Sequence, residues 1–446
     1  MLIILPVGVI AFALTYIMLG TMMPRSGFDY VVNSRALSPP VGFGISWLFV
    51  ITWLLIGAVY ADLTTSIYLP SFLSSIGQVE LANWLPSLLP RAIFDTAFVI
   101  LGTVITLMSI KSFARVQTVC VLGSLVALVT MFALTGYLGV QGFAHAFDSV
   151  AGSGAYVALL AKGQAAGYKA APFSLSQSLL AVPFVLFFIY GYTPMGLAGE
   201  MKTVRKSLIA AMLLASFVSW LAIMVMALIY YPILGVDFAH TIAYLAAMNP
   251  TASPFGSAPT LNNILAYVYG NTPLIAVLNL GIALNAFILV PQTMLFCIRH
   301  IFSWSFDRVV PAKLAEVSRF RTPWITALIV FVGMELMVVL YIFTGLIAAL
   351  LNSAVLATPL GIGAGIIGPS NSIQEEELVR GRASFHKDEG RRDSGPFDRG
   401  IHNCGRSRDL HNRCCAFPAD WLSSDNTQLR ILGRLVHTWN STILRC

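Results

Sequence analysis

An all-α polytopic membrane protein is the fold class this sequence predicts, and three observations predict it. Of 446 residues, 57% are hydrophobic and only 11% are charged, with a mean hydropathy of +0.78; such a chain stays in water only around a very large core. Its apolar residues fall into nine runs, each near the roughly 20 residues that carry a helix across a hydrocarbon core. The basic residues between those runs alternate from many to few along the chain, which is the pattern that orients a protein in a bilayer.

The nine runs are 1–22, 44–66, 93–110, 118–139, 178–198, 208–231, 274–298, 324–343 and 346–368. The first has no basic residue ahead of it and no small-residue cleavage site behind it, so it reads as a span and not as a signal peptide. A preceding helix is expected to be missing, because the charge pattern puts Met1 outside. One set of alternate connections holds Arg25, Arg35, Lys111, Arg115, Lys202, Arg205, Lys206, Arg299, Arg308, Lys313, Arg319 and Arg321, whereas the other holds Arg91, Lys162 and Lys169. Twelve against three places the first set in the cytoplasm. The protein is therefore expected in the cell membrane, multi-pass, with its C-terminal tail inside. The outer connections at 67–92, 140–177 and 232–273 are rich in Gly, Pro, Ala and Ser and read as solvated connectors in preference to interfacial helices or a lid.

The formal charge of +7 raises nucleic acid as a partner, but the basic residues before Gly368 sit in short loops and line no single face, so no nucleic-acid role follows. Cys120 and Cys297 lie in apolar runs, and the other four cysteines crowd the tail without paired Cys-x-x-Cys units, so neither a disulfide framework nor a metal site is assigned. Composition changes abruptly near Gly368. Residues 369–446 hold 12 of the 27 Lys+Arg and 10 of the 20 Asp+Glu, too polar to cross a bilayer. The domain boundaries are thus 1–368 for the transmembrane part and 369–446 for a polar cytoplasmic tail, either disordered or an out-of-frame translation.

Within the fifth run, "FFIYGYTPMGLAGEMKTVRK" concentrates Gly191, Pro194 and Gly196 beside two tyrosines. Proline removes a backbone donor and glycine relaxes the chain. A break at membrane depth persists only where protein or a water-filled cavity satisfies the freed groups, which makes it a binding surface for charged solutes; a structural kink is the competing reading. Glu335 lies inside the eighth run, where a carboxylate is costly and a functional candidate by default. It is a candidate for proton coupling, with a protonated, hydrogen-bonded side chain as the alternative. Asp62 and Asp95 stand near span ends and read as solvated or snorkelling. In "CIRHIFSWSFDRVVPAKLAEVSRFRTPW", residues 297–324, most charges read as a solvated cytoplasmic loop, while Asp307 with Arg308 is a candidate latch. Intramembrane His, Asp and Glu are few and scattered, so no catalytic cluster is assigned and an enzyme is not expected.

Three stretches carry a resemblance: "MPRSGFDYVVNSRALSPPVGF", "YGYTPMGLAGEMKTVRKS", and "SFDRVVPAKLAEV" with "RTP" after it. They resemble, in order and spacing, amino acid permeases of the amino acid-polyamine-organocation (APC) superfamily: the loop after the second span, the broken sixth span with its Glu-x-Lys, and the loop after the eighth. The resemblance implies an inverted-repeat amino acid transporter fold, incomplete here, with about nine transmembrane helices corresponding to the family's second to tenth. The family's first helix and last two have no counterpart. It implies secondary active transport of amino acids or related amines by alternating access, as a symporter or antiporter, with a truncated, non-transporting remnant as the alternative. By position, Ile189, Tyr190, Gly191, Tyr192 and Thr193 match the substrate-binding break, and Glu200 and Lys202 match the cytoplasmic, gating end of that helix. The implied partners are a small amino acid substrate and the lipid bilayer. No cofactor is implied beyond a coupling ion, H+ or Na+, which stays open because 118–139 holds no Lys or Arg. Substrate identity and oligomeric state are not read from the sequence.

Overall fold

The computed structural model describes residues 25–36, 38–170, 174–176, 203–255, 258–318 and 322–344, with six isolated positions between 10 and 21. Six described helices are long and apolar enough to cross a membrane: Pro39–Ser75, Leu88–Leu107, Ile110–Val140, Val204–Leu234, Pro273–Phe306 and Trp324–Thr344. They coincide with the second, third, fourth, sixth, seventh and eighth apolar runs. Among the described residues there is no β-strand, only an isolated bridge between Val317 and Pro323. The protein is an all-α polytopic membrane protein.

In chain order the helices are α1 (Phe28–Ala36), α2 (Pro39–Leu63), α3 (Leu69–Ser75), α4 (Val79–Trp84), α5 (Leu88–Leu107), α6 (Ile110–Ala151), α7 (Ala155–Ala165), α8 (Val204–Leu234), α9 (Val236–Met248), α10 (Leu261–Tyr269), α11 (Pro273–Phe306) and α12 (Trp324–Thr344). Their ends follow from local chemistry. Extended Ser38 precedes two prolines at the start of α2, where a missing N–H leaves nothing unsatisfied. Ser109 accepts from Ser112 N at 3.3 Å to open α6, and Thr272 accepts from Ile275 N at 3.4 Å to open α11, both as N-caps. Gly139 inside α6 adopts φ 66, ψ 172 and breaks it into two helices, a turn that a side chain would resist.

The α2 span continues past its predicted end through a π-helical segment, Thr64–Tyr68, into α3. Pro70 has no N–H to return to the preceding turn, and the widened turn just before it accommodates that loss. Hydroxyls take up nearby carbonyls: Thr64 Oγ1 donates to Tyr60 O at 2.6 Å and Ser71 Oγ to Ile67 O at 2.7 Å. Asn279 of α11 donates to Ser71 O at 3.1 Å and accepts from Asn262 at 2.9 Å, so buried polar groups from three elements are satisfied together.

The central core joins α2, α5, α11 and α12 through Val50, Leu54, Ala58, Val99, Val290, Met294, Ala327, Val330 and Met334. Close approach of α6 and α11 depends on Gly281: a Cβ there would stand 2.4 Å from the Gly123 carbonyl oxygen and 2.5 Å from Ala127 Cβ. Gly281→Leu is therefore expected to lower stability by about 2 kcal/mol through overpacking. Gly136→Leu, which meets open space, should change it by less than about 0.5 kcal/mol. Denaturation midpoints of the two purified variants compare them directly.

The outer connections are not plain connectors. They hold α3, α4, α7, α9 and α10, and the second half of α6 with α7, α9 and α10 encloses an aromatic cluster in which Tyr156 stacks on Phe238 at 4.9 Å and Phe147 meets Phe238 at 5.4 Å. The small residues that suggested a solvated loop are what let these short helices pack. The stretch 297–324 is also corrected in part. Through Phe306 it continues α11, and Arg299, His300 and Trp304 are buried within it; Trp304 stacks on Trp47 at 5.7 Å and donates from Nε1 to Ser46 at 2.9 Å.

Candidate functional site

The predicted substrate-binding residues Ile189, Tyr190, Gly191, Tyr192 and Thr193, and the gating residues Glu200 and Lys202, lie outside the described residues. The structure does describe Asp307, Arg308 and Glu335, and it brings together polar side chains that the sequence left apart.

At the end of the bundle that carries Arg25, Arg35, Arg299, Arg308 and Lys313, the loop before α1 is fastened to α11. Gly27 has φ 68, and a Cβ on it would stand 2.1 Å from Ser303 Oγ. That hydroxyl donates to Ser26 O at 2.5 Å. Thr322 of the segment before α12 donates to Met108 O at 3.3 Å, and Thr326 to Leu314 O at 2.7 Å, so segments 25–35, 108–111, 299–315 and 322–326 share one end. Asp307 closes α11 as its C-cap residue, and Arg308 takes the left-handed conformation at φ 57. Both are exposed. Asp307 stands beside Tyr30 of α1. Burial first, and then the Asp307 carboxylate within hydrogen-bonding reach, push the Tyr30 phenol up to about 12, against a weaker opposing pull from Arg35.

The sign of the resulting pH dependence is fixed. A phenol held protonated in the folded state adds stability that is complete below its ordinary value of 10.0 and is lost as pH climbs through about 12. Asp307→Asn should move the Tyr30 titration back toward 10.0, and Tyr30→Phe should remove that limb of the alkaline stability profile. The difference in tyrosinate absorbance between the Tyr30→Phe variant and the parent follows the titration, and unfolding midpoints measured across alkaline pH follow the stability limb.

Farther along the α2 span, two carboxylates expected to be solvated or snorkelling come together, with Glu335 joined to the same region through Thr96. Asp62, on the last turn of α2, is 3% exposed, and Asp95 of α5 is 0% exposed; neither is a snorkelling side chain. Arg91, one turn before Asp95 on α5 and so on the same face, pairs through Nε with Asp62 Oδ1. Ser66 Oγ of the π segment donates to Asp62 Oδ2 at 3.3 Å. Arg91 also lies 5.8 Å from the Tyr341 ring centroid of α12, a cation–π contact. One residue beyond Asp95, Thr96 donates to Glu335 Oε2 of α12 at 3.1 Å, while Glu335 Oε1 has no hydrogen-bond partner among the described residues. Glu335 is thus half-buried and hydrogen-bonded, at the edge of a polar layer that ties α2, α5 and α12.

Hidden from the sequence reading were Asp62, Arg91 and Asp95 as a unit. One signal was available: Arg91 stands alone among basic residues near the outer ends of the second and third runs, four residues before a carboxylate. Chemically the layer can hold charge and exchange protons. Among the described residues no group of three or more His, Cys, Asp or Glu has an arrangement that could hold a metal ion.

Comparison with known families decides the identity. The amino acid permease family model matches residues 1–360. The chain belongs to the amino acid permease family. That places the permease in the APC superfamily, as the three motifs implied, and its family points to transmembrane amino acid transport by a multi-pass protein of the lipid bilayer, in preference to an enzyme. No curated protein matches the permease.

Proposed function

We propose that the permease is a secondary active transporter that moves amino acids or related amines across the cell membrane by alternating access. The family match over residues 1–360 carries this reading. In it, exposed backbone at Ile189, Tyr190, Gly191, Tyr192 and Thr193 holds the substrate's charged groups, since a broken helix offers free N–H and C=O groups at membrane depth. Glu200 and Lys202 orient the cytoplasmic end of that helix. Asp307 acts in gating through its contact with Tyr30, and Arg308, in the left-handed turn beside it, reorganises when α1 and α11 separate. The C-terminal tail after Gly368 is cytoplasmic in this reading. One helix bundle rocks against the other in this reading.

Glu335 takes part in proton coupling in this reading, supported by its place in α12 and its single hydrogen bond from Thr96. The test is uptake into proteoliposomes of a panel of radiolabelled amino acids, with and without imposed proton and sodium gradients. Accumulation of at least one substrate is expected. Absence of uptake for every amino acid and amine under all gradients would overturn the reading.

A further inference from the structure

Asp95 is the most deeply buried carboxylate of the outer polar layer, at 0% exposure, and neither of its oxygens completes a hydrogen bond among the described residues, although the Thr65 hydroxyl stands beside it. Nearest to it are Asp62, Thr65 and Arg91. Thr65 Oγ1 is committed to Ala61 O at 3.3 Å, and Arg91 is committed to Asp62. From α12, Tyr341 and Glu335 face the same layer, Glu335 through Thr96. The charged groups at the start of α6 are Lys111 and Arg115, its His145 and Asp148 lie beyond the Gly139 break where Asp148 accepts from Gly154 N and Tyr156 N, and Arg299 and His300 lie in the last turns of α11. The layer thus offers one guanidinium to two aspartates. An ionised carboxylate with no donor and no paired cation in the interior costs several kcal/mol, a penalty that a bound proton removes.

We propose that Asp95 is a proton-binding site, neutral in the conformation described, and that loss of its proton transfers Arg91 from Asp62 to Asp95. The geometry gives this exchange a mechanical meaning. Asp62–Arg91 joins α2 to α5, whereas Arg91–Asp95 is an i, i+4 pair within α5 alone. Binding a proton at Asp95 fastens the two spans; releasing it unfastens them. In the release step the O–H bond at Asp95 breaks, the proton leaves to water on the side where Arg91 is 27% exposed, and the new carboxylate accepts from the guanidinium. Asp62 is then left with Ser66 as its donor. It stands two residues before the π segment Thr64–Tyr68, a geometry that concentrates at functional sites. The coupling of this clasp to substrate movement rests on the transport reading above; the protonation itself does not.

The experiment is isotope-edited infrared spectroscopy of the full chain in lipid nanodiscs, with aspartate carboxyls labelled so that Glu335 is silent. A protonated aspartic acid carbonyl band is expected at neutral pH. It should vanish in Asp95→Asn, whose amide keeps the neutral shape, and in Asp95→Val. It should also vanish in Asp62→Asn, where Arg91 has no other carboxylate to hold and passes to Asp95. Absence of the band in the unsubstituted protein, or its persistence in either Asp95 variant, overturns the site. Persistence in Asp62→Asn overturns the transfer of Arg91. None of these readouts requires transport, so a protein that fails the uptake assay can still pass or fail here. If uptake is observed, Asp95→Asn should flatten its pH dependence, and an unchanged pH profile overturns the coupling.

Discussion

Uptake by a Gly191→Val variant is expected to fall to background while the protein still inserts in the membrane and keeps its unfolding midpoint. The expectation rests on backbone chemistry. Gly191 lies between Tyr190 and Tyr192, three residues before Pro194 and five before Gly196, where a helix is least able to close its own hydrogen bonds. If the freed backbone groups bind substrate, a β-branched side chain there both stiffens the chain and fills the space that a carboxylate or amine would occupy. Insertion depends on apolar length, which the change leaves alone. Gly191→Ala, adding one methyl group, should retain part of the activity. Radiolabelled uptake against a protease-protection assay of insertion separates the two effects, and unchanged uptake in the valine variant would reduce the break to a structural kink.

The spans themselves were legible because a bilayer imposes a length on apolar sequence, and six described helices fall on six of the nine runs. Their extents were less so. The α11 helix runs on through Arg299, His300 and Ser303, letters that read as loop, although His300 packs on Phe296 and Ser303 fastens to Ser26 O. Likewise α7, α9 and α10 hide in Gly- and Ala-rich text because their stability comes from aromatic contacts made across the fold. The polar layer was the least legible part. Asp62 and Arg91 are 29 residues apart, and Thr96 and Glu335 are 239 apart. Position in a span says that a carboxylate is near an end; it says nothing of which neighbouring helix covers it. The motifs at 23–43, 190–207 and 305–317 announced the family without any of this, since they are short local stretches and do not record the packing between spans.

Replacing Arg91 with leucine is expected to destabilise the permease by about 3 kcal/mol, the low end of the cost of leaving one member of a buried pair without the other. The low end applies because water that reaches Arg91, whose side chain is 27% exposed, can enter the space it leaves and partly solvate the buried carboxylate left behind. The double variant Asp62→Asn, Arg91→Leu should recover most of the loss, since no charge then remains stranded and Ser66 still finds an acceptor in the amide oxygen. Strictly additive losses would show that Asp62 and Arg91 do not act as a pair. Denaturant unfolding of the two single variants and the double in one detergent decides between these outcomes. A pair that behaves as coupled here is also the precondition for the proton clasp, because an arginine that contributes nothing at Asp62 would have nothing to give up when Asp95 loses its proton.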